Sequence, residues 1–238
     1  MSRRIIVRGD DGWSNRRALL FNGATGYAVA SGLQTLPTAA ASLSMWVKIN
    51  SALTTATAYN FVSASGGGSA NQWLVFGKAG AGDNLVCRGL FSGSGLTSVF
   101  RSSPAGHSTG QWYHFLATFD GTTFRPYIDG SALTPVTRSG ESLAFTTGLN
   151  LTFGGNGTAF SPVSVDEVTI WDRAVDLSEV ASANAPIDVT DASGLVRWYR
   201  MGDDYTPGSF VIRERVAGTY PLTWYGGSET TDFVDSPS

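Results

Sequence analysis

The chain has 238 residues, of which 12% are aromatic and 15% charged, with 29 glycines and a formal net charge of −3. That length suits one sandwich domain able to bury a sizeable core. Aromatic strands joined by glycine-rich turns exclude a helical bundle, which would need more Glu, Lys, Leu and Ala, and the mild charge gives no support for wholesale nucleic-acid binding.

Residues 1–17 form a basic arm, in which Arg3, Arg4, Arg8, Arg16 and Arg17 outweigh Asp10 and Asp11. Two readings stay open: a solvated tail, or an arm that docks on an acidic neighbouring surface. The apolar run Ile5, Ile6, Val7 is too short for the core of a secretory signal, and no stretch is apolar enough for a membrane span. The expectation is a chain made in the cytoplasm.

Strands separated by turns follow. Residues 18–21 lead through Asn22-Gly23 to residues 26–30. In residues 42–49, Leu43, Met45, Val47 and Ile49 share one face. Residues 59–65 run into Gly66-Gly67-Gly68, a flexible loop on sequence grounds. The segment NQWLVFGKAG comes next, with Trp73 read as core because it alternates with Val75. Then comes DNLVCRGLF, where the single cysteine, Cys87, reads as a small buried hydrophobe. One cysteine cannot form an intrachain disulfide.

The clearest stretch is GQWYHFLATFDGTTFRPYIDG, residues 110–130. Trp112, His114 and Leu116 point one way, and Tyr113, Phe115 and Ala117 the other. Asp120-Gly121 and Asp129-Gly130 read as turns with φ > 0 positions. Strands at 149–155 and 163–172 follow. A short helix is expected from Asp176, with Glu179 at the capping-box position and LSEVASA after it. Residues 195–202 give another strand, and the tail holds VIRERV and YPLTWYGG. The fold expected is all-β, an antiparallel two-sheet sandwich with one short helix. The organisation expected is an arm at 1–17, a sandwich domain at 18–190 and an extension at 191–238.

LLFNGATGYAVA, SLSMWVKI, GQWYHFLATFDGTTFRPYIDGSAL, LTFGGN and VDEVTIWDRAVDLSEV occur here in that order. As a set they resemble the laminin-G-like jelly rolls of the concanavalin A-like lectin/glucanase superfamily, over about residues 18–183. Two departures stand out. The family's opening strand commonly ends in FDG, whereas this chain has Asn22. GLVRWYRMGDD and RVAGTYPLTW resemble segments that usually precede the opening strand, yet here they follow the closing helix. Either the last strands complete this sandwich in a permuted order, or they are donated to a neighbouring subunit.

The resemblance implies a calcium site with Asn22 and Asp166, joined by Glu167, since Ca²⁺ takes six to eight oxygens. It also raises β-glucanase chemistry. That needs Glu-x-Asp-x-x-Glu on a strand, and no such motif is present. Glu167, next along a regular strand, is expected on the face opposite Asp166. His114, mid-strand beside Trp112, reads as a packed residue and His107 as a loop residue. No nucleophile elbow, P-loop, CxxC or HExxH occurs.

Candidate sugar-contacting residues are Tyr59, Asn60, Trp73 and Asn156, with Trp224 and Tyr225 as interface anchors. The sequence therefore carries two readings. In the first the chain is a non-enzymatic component of an assembly, such as a phage virion protein decorating a capsid or tail. Its partners would be further copies of itself or a coat protein. In the second it is a glycan-binding lectin-like module. No direct nucleic-acid contact is expected.

Overall fold

Period-two alternation of apolar and polar residues sets the strands, and the turn residues set where they stop. The structure, a computed structural model, describes residues 15, 17–33, 35–53, 59–66, 69–79, 84–101, 107–145, 147–155, 160–182, 185–206, 208–226 and 233–237. The chain opens with β1 (Arg17–Leu20), β2 (Tyr27–Leu33), β3 (Ala41–Ile49), β4 (Tyr59–Gly66) and β5 (Ser69–Lys78). It continues with β6 (Leu85–Phe91), β7 (Gly95–Arg101), β8 (Trp112–Phe119), β9 (Thr123–Ile128), β10 (Ser131–Ala132) and β11 (Val136–Thr137). Next come β12 (Leu149–Phe153), β13 (Val163–Trp171), β14 (Ala181–Ser182), β15 (Ala185–Pro186) and β16 (Leu195–Tyr199). The last are β17 (Tyr205–Thr206), β18 (Val211–Ile212), β19 (Leu222–Tyr225) and β20 (Phe233–Asp235).

Two large antiparallel sheets form the sandwich. The first runs β10-β9-β8-β3-β13-β1-β20, with β11 against β9 and β16 against β13. The second runs β17-β18-β19-β2-β12-β4-β5-β6-β7. Between them lies one core. Leu43, Met45, Val47 and Ile49 enter it from β3, as their spacing predicts, and Phe115 meets Phe61 and Phe76 at ring distances of 5.8 and 5.3 Å. Trp73 and Cys87 are fully buried in it.

The strands after residue 191 pair within this chain. β16 extends the first sheet along β13, β19 lies beside β2, and β20 closes on β1. Tyr199, Ile212, Leu222 and Trp224 belong to the main core.

The turn joining β9 to β10 behaves as its sequence dictates: Asp129 (φ 50°) and Gly130 (φ 71°) take the left-handed positions. At the β8–β9 turn only Gly121 does so. The Asp120 carboxylate instead accepts the Thr122 and Thr123 backbone N–H groups, each at 2.8 Å.

The expected helix shrinks to one 3₁₀ turn, Leu177–Glu179, in which Glu179 accepts the Asp176 backbone N–H at 3.1 Å. Residues after it turn extended, because Val180 is drawn into a second small core with Leu116, Trp171, Val175, Val189 and Trp198. That core sits on the outer face of the first sheet, beneath the connector from β13 to β16.

Candidate functional site

Two places concentrate chemistry: a buried acidic pair on β13 and a partly exposed aromatic pair where β2 meets β19.

β13 keeps β3 on one side throughout, but its other neighbour changes. Leu19 and Leu20 of β1 face Val165 and Ser164, while β16 takes over at Val168. The change falls at Asp166-Glu167, where Glu167 adopts φ 44° and the register with β3 slips. This bulge corrects the regular-strand expectation. It turns both carboxylates to the outer face, since Val165 and Val168 on either side both enter the core. Glu167 accepts the Trp198 indole N–H at 2.5 Å and pairs with Arg200 at 3.2 Å, and Arg200 also holds Asp203 at 3.0 Å. Burial pushes Glu167 above the usual carboxylate range, against the pull of Arg200 and Trp198. Burial pushes Asp166 up as well, and the neighbouring Glu167 charge adds to it.

Calcium does not fit these residues. Asn22 Oδ1 accepts the backbone N–H groups of Ala24, Thr25 and Gly26 at 2.8, 2.9 and 3.2 Å, so it closes a turn. By the β1–β13 register it also lies four residues along the strand from the position opposite Asp166, about 13 Å away. Around Asp166 the row across the sheet is Trp46 and then His114. Along this row Trp46 Nε1 and His114 Nδ1 are buried without a partner among the described residues, as is Asp166 Oδ2, and the Asn15 side-chain amide approaches Asp166. Nitrogen atoms predominate there, where calcium needs oxygens. Among the described residues no group of three His, Cys, Asp or Glu is placed to hold a metal.

His114 is a packed residue, 2% exposed, with Nε2 2.8 Å from Ser44 Oγ and its ring on Trp46. Burial pushes its pKa down to about 3. His107 lies in a loop and is half-buried.

The aromatic pair is different in kind. Tyr27 and Tyr225 are cross-strand partners on the outer face of the second sheet. Their rings stack at 5.0 Å and 18°, with Phe160 6.0 Å from Tyr27. Tyr225 is 45% exposed. Alternation sends its neighbour Trp224 inward, so Trp224 is a core residue and not a surface anchor. At the rim, Thr25 Oγ1 donates to the Gly226 carbonyl at 3.1 Å, tying the Asn22 turn to the end of β19.

The other sequence-predicted residues scatter. Tyr59 and Asn60 are half-buried on β4, and Asn60 Oδ1 accepts from Arg88. Arg17 is exposed on β1, its backbone paired with Asp235. Arg3, Arg4, Arg8, Arg16 and Asn156 lie outside the described residues. Sequence reasoning missed Trp198, Arg200, Tyr27 and Phe160. The signals were present: in RWYR, Trp198 and Arg200 share a face around an inward Tyr199, and Tyr27 opens an outward row with Val29.

The two-sheet architecture is matched by a family model, that of the concanavalin A-like lectin/glucanases superfamily with laminin G character, over residues 22–181. The chain belongs to that superfamily. Among solved structures, its fold is similar to that of a heptameric SAP-like pentraxin from Limulus polyphemus. Identity there is 17%, coverage 71% of this chain and 82% of that one, and the TM-score 0.52. It is also similar to a proposed carbohydrate binding protein from Bacteroides ovatus ATCC 8483, at 14% identity and a TM-score of 0.65. That match covers 94% of this chain and 60% of the other. A comparison with curated protein sequences found no match. Residues 182–238, which include β16 to β20, fall outside the superfamily match.

Proposed function

We propose that the chain is a non-catalytic, glycan-binding module of the lectin type, and that the Tyr27–Tyr225 platform is the surface that meets the sugar. The observation that carries this reading is the stacked tyrosine pair, in which Tyr225 is exposed and Tyr27 half-buried. A pyranose ring offers a face of C–H groups that packs on an aromatic ring, while its hydroxyls reach polar groups at the edge. Tyrosine supplies rigid, amphipathic area of that kind at low entropic cost. Stacking fixes the pair, and the Thr25 tether fixes the rim. The likeness in fold to a proposed carbohydrate binding protein agrees with this but does not carry it, since fold does not determine function.

Catalysis has no support. Glycosidases need two carboxylates about 5–10 Å apart across an open cleft. Asp166 and Glu167 are shut from solvent, and Glu167 is bound by Arg200 and Trp198.

The alternative, a virion or other particle component made in the cytoplasm and docked on a coat protein or on its own copies, rested on the displaced C-terminal strands and the basic arm. Those strands pair inside this chain, which removes the support they lent to a donated-strand assembly. The glycan reading therefore leads. A glycan array probed with the purified chain tests it: retention on a defined set of sugars is expected, and an array blank for every glycan contradicts it.

A further inference from the structure

Beyond the superfamily match, the chain crosses between its two sheets twice, side by side. It leaves β16 in the first sheet, passes through the turn at 201–204 and enters β17 in the second. After β18 it returns, with Arg215 N donating to the Trp198 carbonyl at 2.9 Å. Between these crossings lies a cavity of about 450 Å³ lined by Asp203, Asp204, Tyr205, Arg213 and Arg215. That volume is within the range of small-molecule sites, about 300–1,000 Å³.

Its walls are held. Arg215 clasps Asp204 through two bonds of 2.7 Å, joining one crossing to the other. Arg200 fixes Asp203 from behind at 3.0 Å. The Glu214 carboxylate, 1% exposed, accepts the backbone N–H groups of Val216, Ala217 and Gly218 at 2.7, 2.8 and 2.8 Å and pins the second crossing. The Tyr205 ring is wedged against Phe233 and Trp224 at 4.5 and 6.1 Å. A pre-organised lining loses little entropy on binding.

The lining also selects a chemistry. Two carboxylates and two guanidiniums sum to zero charge. An anion would meet Asp203 and Asp204, and a cation would meet Arg213 and Arg215. An apolar ligand would find one aromatic ring and four charged groups. A hydroxyl is the group that suits both sets, since it donates to a carboxylate and accepts from a guanidinium. We infer that this cavity is a second sugar site, built by the C-terminal extension and specific for neutral, polyhydroxylated ligands. It is separate from the tyrosine platform, which lies on the outer face of the second sheet.

The test is an NMR titration of the ¹⁵N-labelled full chain with galactose, glucose, mannose and N-acetylglucosamine, then with glucuronate and N-acetylneuraminate. A neutral sugar is expected to shift the amides of Asp203, Asp204, Tyr205, Arg213 and Arg215, and to do so at lower concentration than either acid. Arg213→Ala, an exposed position, is expected to raise the concentration needed about tenfold or more, the loss expected for a charge-assisted hydrogen bond. Unchanged dispersion elsewhere in the spectrum reports an intact fold. Shifts confined to Tyr27, Phe160 and Tyr225 would support the platform and overturn the second site. So would no shift at 203–215 at any concentration, stronger binding of the acids there, or an Arg213→Ala titration identical to wild type.

Discussion

Buried charge dominates at the scale of single residues. Glu167 and Arg200 are 4% and 5% exposed and satisfy one another where β13 exchanges β1 for β16. Arg200→Leu leaves a buried carboxylate without its counter-charge and is expected to destabilise by about 3–5 kcal/mol in urea denaturation. Glu167→Gln, which keeps an acceptor for Trp198, is expected to cost less. The pH dependence of the two variants follows from signs. A carboxyl raised in the folded state binds its proton more tightly there than in the unfolded chain. Glu167 thus contributes stability that is present below about pH 4.5 and declines as pH rises through its folded value. His114 runs the other way. Lowered to about 3, it contributes stability above about pH 6.5 that is lost as pH falls towards 3. Denaturation midpoints against pH should therefore lose their acid-side fall in His114→Gln and their rise below neutrality in Glu167→Gln. Because the calcium ligands are not assembled, EDTA is expected to leave the melting temperature unchanged; a drop would restore the metal.

Among elements, one close approach lies where the turn after β12 presses on the residue that follows β1. Gly154, at φ 72°, leads out of β12, and a Cβ there would sit 2.2 Å from Phe21 Cγ. Gly154→Ala meets both the left-handed backbone and a fully buried ring, so a loss of about 2 kcal/mol or more is expected in thermal unfolding. The hairpin of β8 and β9 was legible because its alternation and its Asp120-Gly121 turn are local. The bulge at Glu167 was not: nothing in VSVDEVTIWD marks a slip. It exists because β1 and β16, from opposite ends of the chain, meet on the same edge of β13. The 3₁₀ turn was over-read as a helix for the same reason. Its capping box is local, but Val180 answers to its tertiary neighbours Trp171 and Trp198, which the capping pattern does not report.

For the whole molecule, the last strands are integral. Ending the chain at residue 190 would remove Tyr199, Met201, Ile212, Leu222 and Trp224, all buried in the main core. Such a truncation is expected to lose cooperative unfolding, read by circular dichroism on heating. Sequence alone announced the sandwich, its aromatic core and the superfamily it resembles, because those depend on patterns repeated along many strands. The candidate site was only half visible. Tyr225 could be named as an aromatic on a strand, but its exposure and its stacking on Tyr27 arise from a pairing about two hundred residues apart. Asn22, Asp166 and Glu167 could be named from the resemblance, yet the structure gives them separate, structural tasks.

The central claim is that the tyrosine platform binds sugar, and calorimetry on the strongest ligand from the array tests it most directly when wild type and Tyr225→Ala are compared. Tyr225 is exposed, so the variant is expected to keep the wild-type melting temperature while its affinity falls about tenfold or more, as for removal of an aromatic hot spot. Equal affinity in the two proteins would contradict the account and move the sugar elsewhere on the molecule.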